Sequence, residues 1–279
     1  ARAGNMRRRD AALASGAQAQ EGERSDAPPL LPYKVILVGD STMAPHSGWG
    51  GAFCANHVKS SVACLNTGRG GRSTRSYRQE GGWDIVLAEA AVLGYRETYV
   101  LIQFGHNDQS TKPERWTDEK TEFPANLRRF VEEVRAKGAI PVLVTPLTRR
   151  EFKDGKLKNT LASWSDQVRA VAKALDVPLV DLNALSAAQV QEMGAEMATQ
   201  LAQEAPTAEE LAAARAGTTL TARPAPPAPP PIEGDGPRGQ VTSKFDYTHL
   251  GSIGAQVTAR LVTQGLARVA PGLRSQLVR

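Results

Sequence analysis

Apolar runs of strand length alternate five times with helical patterns along this chain, and that alternation leaves few architectures open. "YKVILV" (33–38), "SVACLN" (61–66), "TYVLIQF" (98–104), "IPVLVT" (140–145) and "VPLVDL" (177–182) are short and rich in β-branched and aliphatic residues. Behind them come "GWGGAFCANHV", "GGWDIVLAEAAVLG", "TEFPANLRRFVEEVRAKG", "TLASWSDQVRAVAKAL" and "SAAQVQEMGAEMATQLAQ", each with helical spacing of its apolar residues. A strand apolar on both faces has to be covered on both, and a helix between successive strands makes them parallel. The predicted fold is a three-layer α/β/α sandwich around a five-stranded parallel sheet, flavodoxin-like, in the order 2-1-3-4-5. Right-handed crossovers then put the ligand crevice at the carboxyl ends of the strands, where the order reverses between the first and third.

That crevice singles out two loops, Gly39-Asp40-Ser41 and Gly105-His106-Asn107-Asp108. Taken alone, either is ordinary turn and helix-cap chemistry. A serine there becomes a nucleophile only if the chain also supplies a base, a group that orients the base, and donors for an oxyanion. Of the four histidines, His46, His57, His106 and His249, the last follows Asp246 by three residues in "DYTHLG". A carboxylate at that spacing can curl back onto the imidazole, fix its tautomer and stabilise the imidazolium. The glycines of "LNTGRGGRSTRS" offer backbone N–H groups with no Cβ in the way, and Asn107 offers a side-chain amide. Gly251 and Gly254, just after His249, predict close packing of the following helix.

Charge narrows the function classes. The 34 Lys and Arg against 29 Asp and Glu give +5, but the cations are spread along the chain and form no stripe, so nucleic-acid binding is not expected. No apolar run reaches transmembrane length, so no membrane span is expected either. Residues 1–32 read as a flexible leader, and residues 33–279 as one domain interrupted at about 203–240 by a Pro/Ala-rich insertion. Within that insertion Thr207 and Glu210 form a capping-box pattern that predicts one short helix. Cys54 and Cys64 have two open readings: buried free thiols, or a disulfide tying the first helix to the second strand in an oxidising compartment.

The four blocks "GDST", "NTGRGGRS", "QFGHND" and "DYTHLG", in this order and at strand ends, resemble those of the SGNH (GDSL-like) hydrolases. More narrowly, "GDSTMA...GWG", "GRSTRS" and "FGHND" are similar to the rhamnogalacturonan acetylesterase branch, carbohydrate esterase family twelve. The resemblance implies Ser41 as nucleophile, His249 as general base and acid, and Asp246 as the residue that orients it. It implies an oxyanion hole from the N–H groups of Ser41 and Gly71 and the amide of Asn107. Asp40 and Asp108 are expected to hold loops and not to act in catalysis; His106 is open between pocket lining and packing. The implied activity is release of acetyl groups from plant cell-wall polysaccharide, rhamnogalacturonan or another pectin first and xylan second, by a secreted or periplasmic enzyme without cofactor or metal. A broad short-chain carboxylesterase or lipase, and a non-catalytic carbohydrate-binding relative, are the alternatives.

Overall fold

The computed structural model describes residues 31–221 and 244–278. The expected leader, apart from its last two residues, and the proline-rich part of the expected insertion lie outside the described residues.

The central sheet contains β1 (Tyr33–Gly39), β2 (Val62–Asn66), β3 (Thr98–Gln103), β4 (Ile140–Val144) and a two-residue edge strand, β7 (Leu179–Val180). All pairings in it are parallel, in the order β2-β1-β3-β4-β7, as the alternation predicts. Between β4 and β7 runs a short antiparallel hairpin, β5 (Phe152–Lys153) and β6 (Lys156–Leu157). Its turn is Asp154-Gly155, with φ of 51° and 74°. Two consecutive left-handed residues are what a tight hairpin needs, and the dipeptide "DG" was its sequence signal.

Alternation along the strands divides the core in two. Val35, Leu37, Tyr99, Leu101, Val142 and Val144 pack with Phe53 of α1 (Gly50–Asn56) and Val262 and Leu266 of α8 (Ser252–Val269). Ile36, Val38, Val100, Ile102 and Leu143 face the other way. They meet Trp83 of α3 (Gly82–Ala90), Phe130 of α4 (Glu122–Ala136) and Val168 of α5 (Ala162–Ala174). Each such buried Leu, Ile, Val or Phe contributes about 1.5–3 kcal/mol of transfer free energy, so both helical layers are required by the same strands.

The remaining helices are α2 (Thr74–Gln79), α6 (Leu182–Ala198) and α7 (Ala208–Arg215). The six-residue α2 was not foreseen, because no apolar period can be read over so short a span; a Ser73–Ser76 capping box starts it. The predicted Thr207–Glu210 box does start α7. The segment after α7 returns to the hairpin, with Thr219 N–H donating to Phe152 O at 3.0 Å and Gly155 N–H donating to Gly217 O at 2.9 Å. The first part of the expected insertion is therefore packed into the domain. Cys54 on α1 and Cys64 on β2 are joined by a disulfide, their Cα atoms 5.4 Å apart. No helix among the described residues is long and apolar enough to cross a membrane.

Candidate active site

β1 and β3 are hydrogen-bonded neighbours in register Gly39↔Gln103, so the loops that leave them emerge side by side. Beyond β1, Asp40 is fully buried and its Oδ1 accepts from Thr42 N–H at 2.8 Å and Thr42 Oγ1 at 2.7 Å. Thr42 Oγ1 accepts in turn from Gln103 Nε2 at 2.6 Å, and Gln103 Oε1 accepts from Trp49 Nε1 at 2.8 Å. A buried line of bonds thus runs from the "GWG" tryptophan through the end of β3 to the "GDST" turn and fixes the backbone that carries Ser41. Burial pushes the Asp40 carboxyl up, but the facing His106 ring and the Thr42 donors outweigh it and hold its pKa below the ordinary carboxylate range. His106 is itself buried, 3.5 Å from Asp40 Oδ2.

Ser41 Oγ is 2.8 Å from His249 Nε2, and His249 Nδ1 is 2.6 Å from Asp246 Oδ2. The other carboxylate oxygen, Oδ1, accepts from the backbone N–H groups of Thr248 at 2.8 Å and His249 at 2.7 Å. Burial raises the Asp246 pKa, but the hydrogen bond and charge of His249, with these two N–H donors, carry it far below the usual range. Asp246 is therefore an anion aimed at the ring nitrogen remote from the serine, an arrangement in which Nε2 is free to accept the Ser41 proton.

One support of this loop carries no motif in the sequence. Arg150 is buried behind it; its Nη2 donates to Asp246 O at 2.8 Å and His249 O at 2.9 Å, and its Nη1 to Thr248 O at 3.3 Å. Desolvation brings that guanidinium down to about 10, against the opposing charge of Asp246. Below the loop, a Cβ on Gly251 would sit 2.3 Å from Ala202 O, and one on Gly254 would sit 2.2 Å from Leu201 O, which is the close packing expected of these glycines.

The same cleft, about 490 Å³ in volume and open to solvent, is lined by Ser41, Gly70, Gly71, Asn107, Arg115 and His249 among others. Gly71 has φ of 77°, a left-handed conformation that a side chain would strain. Asn107 Nδ2 donates to Arg72 O at 3.1 Å, which ties the amide to the turn carrying Gly71 and leaves its second hydrogen for another acceptor. His106 and Asp108 are not in the cleft lining. Asp108 is buried, and its Oδ1 gathers Thr74 N–H at 3.0 Å, Thr74 Oγ1 at 2.6 Å and Thr117 Oγ1 at 3.0 Å. It fastens the N-terminus of α2 to the loop after β3.

A parallel sheet in this order, with the serine and asparagine loops at its reversal point and the Asp-x-x-His loop closing over them, defines the SGNH class of α/β hydrolases. Within that class the chain belongs to the GDSL-like lipase/acylhydrolase family, whose model matches residues 37–201. It is 34% identical over 255 residues to the rhamnogalacturonan acetylesterase RhgT of Bacillus subtilis (strain 168), covering 88% of this chain and 95% of that protein. It is 31% identical over 169 residues to the probable rhamnogalacturonan acetylesterase YesY of the same organism, covering 58% and 76% of the two chains. In three dimensions it resembles the crystal structure of Bacillus subtilis YxiM, with a TM-score of 0.61 at 23% identity. That match covers 86% of this chain and 57% of YxiM, and it speaks for the fold alone.

Proposed function

We propose that this protein is a serine esterase that removes acetyl groups from a plant cell-wall polysaccharide of the rhamnogalacturonan type. The observation that carries the reading is the unbroken line Ser41–His249–Asp246, at 2.8 Å and 2.6 Å, on the floor of an open cleft. The resemblance over most of the chain to a rhamnogalacturonan acetylesterase supports acetyl as the acyl group and an acidic pectin as the alcohol. Apart from Ala44 and Pro45, the lining residues are glycine, polar or charged, which suits a sugar better than a long acyl chain.

In this mechanism His249 Nε2 takes the Ser41 proton as Oγ attacks the ester carbonyl, and Asp246 stabilises the imidazolium. The tetrahedral oxyanion is held by the N–H groups of Ser41 and Gly71 and by the free hydrogen of the Asn107 amide. His249 then gives its proton to the departing sugar oxygen, leaving acetyl on Ser41. Water, activated by the same imidazole, releases acetate and restores the serine. Residues 33–279 act as one hydrolase domain, and a polymeric substrate together with the Cys54–Cys64 disulfide supports an extracytoplasmic site of action. Ser41→Ala should cut acetate release from acetylated rhamnogalacturonan by about 10⁴-fold or more. Undiminished turnover in that variant, or a preference for long-chain nitrophenyl esters in the wild type, would overturn the assignment.

A further inference from the structure

The cleft above Ser41 has a charge bias that acyl transfer does not require. Among its lining residues are Arg115 and Lys244, and there is no Asp or Glu. The nearby "GRSTRSYR" arginines do not share this bias, because each is matched by a carboxylate of the protein. Arg72 bonds Glu80, Arg75 bonds Glu122 and Arg78 bonds Glu133. Arg115 differs. Its one acidic neighbour, Glu114, stands 3.9 Å from Nε, and among the described residues no acceptor lies within hydrogen-bonding reach of Nη1 or Nη2.

The position of that guanidinium is defined by Gly71. A Cβ on Gly71 would lie 3.1 Å from Arg115 Nη2 and 3.2 Å from Nη1 and Cζ, while a Cβ on Gly70 would lie 3.7 Å from Ser41 Cβ. Serine and guanidinium therefore sit against two consecutive residues of one turn, and both line the same cleft. The Nη1 and Nη2 pair is a planar two-donor fork that matches the two oxygens of a carboxylate.

We propose that Arg115 is a carboxylate subsite, which takes the uronic acid group of a sugar at or next to the acetylated one and so selects acidic polysaccharide over a neutral backbone such as xylan. This rests on the acetylesterase reading above and specifies its substrate. Because about a third of the Arg115 side chain is exposed, the pairing is partly screened, and raising the salt concentration weakens it.

The test compares kcat/KM for acetate release from acetylated rhamnogalacturonan and from the same polymer after carboxyl reduction, in wild type, R115K and R115Q. The wild type should favour the acidic polymer about 10-fold at low salt, as expected of one charge-assisted hydrogen-bonded pair. R115Q should bring the ratio near unity through a higher KM on the acidic polymer, and R115K should keep part of the preference. Thermal unfolding checks that the variants are folded, and R115K carries the test if R115Q is not. Equal wild-type rates on the two polymers, or a ratio untouched by R115Q, would overturn the subsite. An equal loss of kcat on both polymers would also overturn it, since the guanidinium would then be serving the oxyanion. Absence of acetate from either polymer with the wild type would instead overturn the acetylesterase reading.

Discussion

Asp108 offers a stability measurement whose sign and size follow from its surroundings. The carboxyl is wholly buried and pushed up to about 7, from an ordinary value of 3.8, chiefly by desolvation, against the Thr74 and Thr117 bonds that favour its anion. The unfolded chain thus releases this proton near pH 4, whereas the folded protein keeps it until about pH 7. Between these values the folded state binds more protons, so the contribution of Asp108 to stability is complete below pH 4 and is lost as pH rises to 7. At 1.36 kcal/mol per pH unit, the loss is about 4 kcal/mol over the whole window and roughly 3 kcal/mol between pH 5 and 8. Asp108→Asn keeps Oδ1 as the acceptor for its three donors and removes the titration. Oδ2 has no partner, so the new amide N–H₂ loses about 1–3 kcal/mol, but equally at every pH. The quantity to read is therefore the slope. Urea unfolding of both proteins from pH 5 to 8 should show the variant gaining roughly 3 kcal/mol on the wild type. Curves that stay parallel across that range would refute burial as the dominant influence on Asp108.

Two other substitutions probe the frame around the site. Arg150→Met removes two bonds shorter than 3 Å to the Asp246 and His249 carbonyls, but it also relieves a buried charge. The expected net loss is about 2 kcal/mol by denaturant unfolding, with kcat for acetate release down by about 10-fold or more as the imidazole loses its alignment. A Cys54→Ser/Cys64→Ser variant opens a link between residues ten positions apart and should lower stability by about 2–3 kcal/mol, read by thermal unfolding, while Ser41 chemistry continues below the new melting temperature.

The sequence exposed those parts of the site that lie at strand ends or within one loop. Ser41 and Asn107 were found because a parallel sheet has one place for a crevice, and Asp246 with His249 because three residues separate them. Arg150 was not found, although its guanidinium bonds three carbonyls of the Asp246 to His249 loop. Its partners are backbone atoms about a hundred residues away, and backbone acceptors leave no trace in side-chain identity. Trp49, Gln103 and Thr42 escaped for another reason: their bonds join side chains, but across some sixty positions, where no local spacing pairs them. In the fold, the edge strand β7 has only two paired residues where six were expected, since Asp181 already caps α6, which starts at Leu182. The Asp154-Gly155 hairpin lay in plain view as a dipeptide, but it falls between two long elements and has only two residues in each strand.

The return of Gly217 and Thr219 onto the β5–β6 hairpin has a consequence for how this architecture tolerates change. Gly217 and Thr219 lie beside Asp154-Gly155 and Phe152, so the hairpin is held from outside as well as by its own turn. Two strands of two residues are too short to stand alone, and they keep their shape as part of this larger clamp. Changes at the turn are therefore cushioned by partners that lie some sixty residues further along the chain.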